Sequence, residues 1–562
     1  MGLLLQAIFL ALGVSLSLSR PAVKETSYQH AAVATDAAQC SEIGVELLKK
    51  GGNAVDAAVG SLLCVGVINL QSTGLGGGGF FMYYDAESRE TSCIDFREKA
   101  PGVIPESAME RYIEDPTSTT IGGLAIGVPG QVKGLHEAHT RFGELPWYDV
   151  VEPSIKVARE GFAVTPTVAL AISIVGNQLD ENYQTLSDLL HNPETGQLYK
   201  EGEILRQPQL ADTLESIARS GSIFFYNSSF TEEMVAELAS EYGSILRVED
   251  FLNYKAATRD PLISEYKGMK VHSFPPPASG SVLSLVFNIL DGYDLDEIDS
   301  LSYHRIVEAY KFAYGQRLSL GDPDYNETIS EVVDFMLDVD TAVDMRSRIT
   351  DDTTHDVEYY LENQPLHNPE SHGTTHLSVI DEKGNAVGIT STINLYFGSR
   401  SMSSRSGIIF NNEMDDFSVP GRNNSFDYPP SPSNYIKPNH RPLSSMTPTI
   451  VTDEEGSVVM VAGASGGSKI PTATSQVILN TLSFSIPLED AVSRPRLHHQ
   501  LIPNTLEVET DFSQSYIEGL EERNHVIRKT SSVGVVQAIY KEKGGLIYAA
   551  SDKRKGGEPS GY

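Results

Sequence analysis

Thr374 and Thr392 are the residues of this chain whose type and spacing most directly suggest a reaction. The stretch Ser371–Asn394, SHGTTHLSVIDEKGNAVGITSTIN, sets apolar Leu377, Val379, Ala386 and Ile389 among small or polar neighbours and breaks once, at Glu382-Lys383-Gly384. That is the pattern of a β-hairpin. A three-residue loop with Gly384 at the position needing positive φ places Asp381 against Asn385 and, stepping outward, Thr374 against Thr392. A threonine that follows His372-Gly373 at the start of a strand has the parts of a self-cleaving N-terminal nucleophile. Cutting the Gly373–Thr374 bond frees an α-amine whose reference pKa of about 7.7–8.0 suits it as general base for its own hydroxyl. The competing reading is structural, because cross-strand threonines stabilise a hairpin whatever else they do.

A second nucleophile competes with the first. Gly463-Ala464-Ser465-Gly466-Gly467 satisfies G-x-S-x-G between a predicted strand, Ser457–Ala462, and a predicted helix, Thr472–Leu482, with Asp490 and His498 or His499 following in the order of a hydrolase triad. Only about 25–35 residues separate Ser465 from those partners, too few for the strands an α/β-hydrolase inserts between triad members. The other use of these glycines is as an oxyanion hole, the amides of Gly466 and Gly467 lying at a helix start, where N–H groups are unpaired and the dipole favours negative charge. Gly74, Gly76 and Gly79 satisfy G-x-G-x-x-G, but they follow a helix and open alternating segments, Phe80–Tyr84 and Thr91–Phe96. A dinucleotide loop needs the reverse order, so close backbone approach in a core is the better reason for the glycines. Asn411–Phe417 carries Glu413, Asp415 and Asp416 but lacks EF-hand spacing and glycine, and no metal is expected there. Arg97, in DFREKAP, reads by default as a solvated strand end.

The elements that must position these groups are read as follows. After a polar lead-in at 20–28 the chain is expected to be helical from Ala31, broken by Gly51-Gly52-Asn53 before a second apolar helix, Ala54–Leu70. Residues 123–265 read as amphipathic helices and polar connections without chemistry. His304–Arg317 reads as a helix, 319–372 as an exposed linker leading to the cut, Gly407–Phe410 as a strand, and 419–441, rich in Pro, Ser and Asn, as a mobile loop.

Composition narrows the class. Length, at 562 residues, suggests three or four domains, and 40% hydrophobic with 21% charged residues is globular. Lys+Arg 42 against Asp+Glu 75 gives a formal charge of −33, which disfavours nucleic acid and anionic lipid as partners. Leu3–Leu18 is an uncharged apolar run ending in small residues, and a cleaved signal peptide over 1–19 fits it better than a permanent anchor. Asn227, Asn326 and Asn423 head glycosylation sequons. Cys40 and Cys64 flank one helical unit and either close a loop in an oxidising compartment or remain buried thiols; Cys93 reads as a small buried hydrophobe.

The segments TTHLSVID, STINLYFGS, GIIFNNEMDDFS, PLSSMTPTI, GASGGS and DKRKGGEPSGY, in this order, resemble the small subunit of the γ-glutamyltransferases, or glutathione hydrolases, of the N-terminal-nucleophile hydrolase superfamily. AAVATDAAQCSEIG, GGNAVDAAVGSLLCVGVINLQSTGLGGGGF and DFREKAP resemble the large subunit, so the resemblance runs from about residue 29 to Tyr562. It implies an α/β fold, the four-layer α/β/β/α sandwich. Autoprocessing would give a large subunit, 20–373, and a small one, 374–562, of 562 − 373 = 189 residues, intertwined as one globular heterodimer. It further implies that Thr374, helped by Thr392, takes the γ-glutamyl group of glutathione as an ester. Water or an amino acid or dipeptide acceptor then receives that group, and no cofactor is needed. By the same resemblance Arg97, Ser444 and Ser445 hold the substrate's α-carboxylate, and Asn394, Glu413 and Asp416 its α-ammonium. Tyr396 borders the pocket, Gly466 and Gly467 form the oxyanion hole, and Cys40 pairs with Cys64. Lys469 and Pro471 replace polar residues of relatives. The expected location is extracellular, either secreted or on the outer face of the plasma membrane, because animal relatives often keep the N-terminal segment as an anchor. Two alternatives stand beside this: an inactive secreted paralogue acting as a binding or effector protein, and a cephalosporin- or glutaryl-acylase-like specificity, which would not need Arg97 together with Glu413 and Asp416.

Overall fold

Strand Gly373–Ile380 pairs antiparallel with strand Ala386–Asn394, and the register sets Thr374 against Thr392 as the loop arithmetic requires. Gly384 takes φ 87°, and the Asp381 N–H donates to the Asn385 carbonyl at 3.0 Å. The computed structural model describes residues 26–361, 373–422 and 430–562; the 1–19 leader and the Asn423 sequon lie outside these.

Every residue of both hairpin strands is buried, so their alternation divides two cores rather than core from water. The hairpin is the middle of a seven-stranded antiparallel sheet in the order Ser560–Gly561, Ala32–Ala34, Gly373–Ile380, Ala386–Asn394, Gly78–Asp85, Glu90–Asp95, Ala257–Arg259. On one face Leu377, Val379, Val387 and Ile389 pack with the helices Ala38–Lys49 and Ala54–Ile68. On the other, Ile380 and Ala386 share a core with Val461, Ala462 and Ile539 of a second seven-stranded antiparallel sheet. That sheet is backed by the helices Gly280–Leu290, Ser300–Arg317 and Ile470–Leu482. The layers therefore run α/β/β/α, as the resemblance implied. Next to residues 29–31, the Tyr562 carbonyl accepts N–H groups from Gln29 (3.1 Å) and His30 (2.8 Å), which closes the sheet.

Asn53 explains the break before the second helix. Its side chain accepts from Val55 and Asp56 N–H, Asp56 returns the bond, and the helix that follows is buried throughout. The Cys40–Cys64 disulfide is present and ties this helix to the one before it, while Cys93 is a buried free thiol. The Asn227 sequon is exposed, whereas Asn326 uses its Oδ1 to accept from Thr328 N–H (3.1 Å) and Oγ1 (2.8 Å). Among the described residues no helix is long and apolar enough to cross a membrane.

Several expectations are corrected. Ala32–Ala34 is a strand, and the first helix begins only at Ala38, because pairing inside a buried sheet outweighs the helix propensity of alanine. The 123–265 stretch ends in strands, Ala257–Arg259 and Leu262–Tyr266. The described part of 319–372 is not an open linker: it holds the helices Thr328–Leu337 and Val339–Arg348, which bury Ile329, Met336, Ala342 and Met345, and its acidic composition is that of their outer faces. Gly407–Phe410 makes only isolated bridges, Ile409 with Met402 and Phe410 with Gly76. The described parts of 419–441 bury Ser431, Asn434 and Arg441.

The glycine run behaves as expected. A Cβ on Gly76 would lie 2.1 Å from the Ile409 carbonyl oxygen, and one on Gly77 would lie 2.1 Å from that of Thr392. Gly77→Ala should therefore cost about 1–3 kcal/mol by overpacking against the strand that carries Thr392. Gly544→Ala, with nothing within 4 Å, should leave the unfolding midpoint unchanged. Parallel thermal melts check this, and equal midpoints would refute it.

Candidate active site

Thr374 Oγ1 lies 3.2 Å from Thr392 Oγ1. The Thr392 hydroxyl also donates to the Gly373 carbonyl and accepts the Asn394 N–H at 2.8 Å. The second threonine thus touches the carbonyl of the very bond whose cleavage would free Thr374. Pairing slips by one residue between Gly373 and Thr374, Gly373 facing Asn394, so a bulge sits at that bond. Bulges of this kind aim a side chain out of a regular ladder.

The threonine pair lines a cleft with Arg97, Arg317, Glu413, Asp416, Ser444 and Gly467 among its walls. Arg97 is fully buried, not the solvated strand end of the default reading. Its guanidinium donates to both Glu413 and Asp416, and its Nε to the Pro442 carbonyl at 3.3 Å. The resemblance assigns Arg97 and the two acids to opposite ends of a substrate; in the structure they are bonded to each other directly. Glu98 lies beneath, 3.8 Å from Arg97, with both carboxylate oxygens buried and without hydrogen-bond partners. Burial pushes the Glu98 carboxyl up to about 8 and raises Glu413 well above the carboxylate range. Burial works against the charge of Arg97, but Glu413 and Asp416 outweigh it and hold the guanidinium protonated.

Ser445 Oγ accepts from Arg317 at 2.9 Å, and Ser444 Oγ accepts the Met446 N–H at 3.2 Å. Arg317, the last residue of the helix Ser300–Arg317, was missed in the sequence. It carries no motif and reaches the cleft only because that helix backs the second sheet. Asn394 takes φ 71°; its Nδ2 donates to the Asn412 carbonyl at 3.1 Å, while its Oδ1 is buried with no donor. Asn394, half-buried Tyr396 and Gly466 are not among the residues that line this cleft, although Gly466 directly precedes the lining Gly467. Gly466 and Gly467 have φ 128° and 61° and lead through a short turn into the helix Ile470–Leu482. Lys469 is paired with Glu507 at 2.8 Å, and Pro471 occupies the first turn of that helix.

The elbow triad does not assemble. Ser465 ends the strand Val458–Ser465, His498 bonds Thr472 Oγ1 (2.8 Å) and Gln500 Oε1 (2.9 Å), His499 accepts the Leu501 N–H (2.9 Å), and Asp490 is exposed.

A family model described as Gamma-glutamyltranspeptidase matches residues 40–562. Glutathione hydrolase 2 of Arabidopsis thaliana is 40% identical over 553 residues, covering 95% of this chain and 94% of that protein. Scoloptoxin SSD14 of Scolopendra dehaani is 36% identical over 548 residues, 95% of this chain and 92% of that one. Among solved structures, the cephalosporin acylase of Bacillus halodurans superposes with a TM-score of 0.83 at 25% identity, over 97% of this chain and 98% of that one.

The carboxyl of Glu98 generates a pH signature. With its folded pKa raised to about 8, the native chain holds a proton that the unfolded chain has already lost. The contribution of Glu98 to stability is therefore greatest below the ordinary glutamate range, falls as pH rises, and levels off above about 8. Glu98→Gln removes that fall. Its unfolding free energy should exceed the parent's at pH 8 by on the order of a few kcal/mol, read in denaturant melts, and the gap should close toward pH 4–5. A gap independent of pH would contradict the assignment.

Proposed function

The chain belongs to the gamma-glutamyltranspeptidase family, and from that premise we propose that it is a glutathione hydrolase and γ-glutamyltransferase whose nucleophile is Thr374, freed by its own cleavage of the Gly373–Thr374 bond. The observation that carries this is the placement of Thr392 Oγ1, which bonds both Thr374 Oγ1 and the Gly373 carbonyl.

In maturation, Thr374 Oγ adds to the Gly373 carbonyl carbon and the C–N bond breaks. The departing nitrogen takes the proton given up by the hydroxyl, and water hydrolyses the resulting ester. Gly373 leaves as a carboxylate, and Thr374 keeps a free hydroxyl and α-amine. In turnover that amine accepts the hydroxyl proton as Oγ attacks the γ-carbonyl of a γ-glutamyl compound. The Gly466 and Gly467 amides stabilise the oxyanion, and the proton passes to the leaving amine, cysteinylglycine when glutathione is the donor. Water or an amino acid or dipeptide then takes the γ-glutamyl group from the ester. No cofactor enters any step.

Recognition is a charge exchange. The substrate's α-carboxylate takes the place of Glu413 and Asp416 on Arg97, joined by Ser444 and Ser445. Its α-ammonium takes the place of Arg97 on the two acids and meets the unpartnered Oδ1 of Asn394, with Tyr396 at the border. A zwitterionic α-carbon suits such a self-paired cluster, which an acylase acting on a simple diacid would not require. The presence of every residue assigned to catalysis, beside this cluster, disfavours a silent effector protein. We further propose that the large and small subunits, 20–373 and 374–562, stay together because the strand opening the second is buried between two cores. The disulfide and the exposed Asn227 sequon support an extracellular site of action, secreted or at the outer membrane face.

Thr374→Ala should remain a single chain without turnover, and Ser465→Ala should mature and turn over γ-glutamyl anilide near the parent rate. N-terminal sequencing of the parent's smaller chain should begin at Thr374. A different start, or a Ser465→Ala protein that is cut but inactive, would reject the assignment.

Arg97→Ala should mature yet bind substrate poorly. Losing one side of a buried charge-assisted pair costs on the order of 2–5 kcal/mol, so KM should rise by roughly tens to thousands of fold. The rise should be confined to donors with a free α-carboxylate. A variant that still prefers glutathione over an α-carboxyl-blocked γ-glutamyl amide as strongly as the parent would place the carboxylate elsewhere.

A further inference from the structure

The strand that carries Thr374 outruns its neighbour. Along this strand Ala32–Ala34 reaches only Ser378, Val379 and Ile380, and among the described residues no strand pairs with the same edge next to Thr374. Two buried charges close it instead. Lys555 Nζ donates to the Thr374 carbonyl and pairs with Asp36 at 2.7 Å. Asp36 also accepts from Thr375 Oγ1 and Gln537 Nε2, both at 2.6 Å. Lys555 is itself held in a turn, its N–H donating to the Asp552 carbonyl at 3.2 Å and its carbonyl accepting from Thr167 Oγ1 at 3.1 Å.

Resting on the reading of Thr374 as an N-terminal nucleophile, we propose that Lys555 is its positioning residue: the ammonium anchors the Thr374 carbonyl and keeps the adjacent α-amine unprotonated near neutral pH. In the uncut chain Thr374 is fixed through both of its peptide bonds. After cleavage the Gly373 side is gone, together with the bond from Thr392 to the Gly373 carbonyl, and the carbonyl side alone holds the residue. The short span from a residue's nitrogen to its own carbonyl oxygen places Lys555 Nζ within about 6 Å of that amine. A free α-amine has a reference pKa of about 7.7–8.0, so at neutral pH only the minor free-base fraction takes the hydroxyl proton, and a lower value enlarges that fraction. A fixed cation at this range lowers that value. The other groups facing the amine are Asp36 behind it, and Arg97, Arg317, Glu413 and Asp416 around the cleft. His376, two residues along the strand, is held neutral by burial.

The test is the pH dependence of kcat/KM for a γ-glutamyl anilide, measured on mature enzyme whose cleavage at Thr374 has been verified on a denaturing gel and by sequencing. Lys555→Met should move the acid limb up by about one pH unit and lower kcat about tenfold or more. Lys555→Arg should restore the limb. Asp36→Asn, which removes the opposing charge, should move it down. Lys553→Met, on a side chain 76% exposed, serves as the control and should leave the profile unchanged. A purely structural loss would lower rates without moving the limb, and certainly not in opposite directions for the two partners. An unshifted limb in cut Lys555→Met overturns the proposal. Should that variant stay uncut, the Asp36→Asn limb decides alone: a downward shift supports the proposal and no shift overturns it. A parent enzyme with no cut at Thr374 would instead reject the nucleophile assignment on which all of this rests.

Discussion

The alignment of Thr374 with Thr392 depends on one carboxylate in the turn between them. Asp381 Oδ1 accepts the N–H groups of Lys383 (3.0 Å) and Asn385 (2.9 Å), and its Oδ2 accepts Asn385 Nδ2 (2.9 Å) and the Ala54 N–H (3.0 Å). The same side chain thus fixes the hairpin register and docks the turn on the start of the buried helix Ala54–Ile68. Register matters here more than in most hairpins, because a slip of one residue exchanges the faces of every side chain. Thr374 would turn toward the helical core, and the apolar Leu377 and Val379 toward the polar layer that holds His376 and Ser378. The glycine run on the neighbouring strand reinforces the choice, since only a strand set at this height leaves its carbonyls room against Gly77 and Gly79.

Around the threonine pair, the cleft stores charge rather than space. Arg97, Glu98, Glu413 and Asp416 are all taken out of water within one cluster, and the cost of that desolvation is offset by their mutual pairing together with the bond from Arg97 to the Pro442 carbonyl. A ligand that brings one positive and one negative group can replace each internal contact with an equivalent external one, so its recognition need not repeat the desolvation. A ligand with a single charge leaves either the guanidinium or the acids uncompensated in a buried site. Selectivity of this kind comes from the balance of the cluster, not from the shape of a pocket.

Local patterns were legible in the sequence, and long-range ones were not. The hairpin could be placed to the residue because alternation and a short glycine-closed loop leave one register, and Gly51-Gly52-Asn53 marked the break before the second helix. Arg97, Glu413 and Asp416 were joined in one site only by the family resemblance, their own sequence contexts reading as a solvated strand end and a solvated loop. What the sequence hid was decided by partners hundreds of residues away. Three alanines at 32–34 become a strand only because the hairpin and residues 560–561 flank them, and the acidic stretch after 319 folds into helices only because its sparse apolar residues find a core. Glu98, Arg317 and Lys555 carry no signature of their own. Each matters through what a distant element brings beside it.

The sheet that holds the hairpin cannot be completed locally. Its outermost strand is Ser560–Gly561, laid against Ala32 and Val33, and Lys555 reaches Thr374 from the same late segment. The contact on the Thr374 carbonyl is thus supplied by a residue 181 positions further along the sequence, and pairing of such range carries a loop-closure cost that the hairpin's own short turn does not.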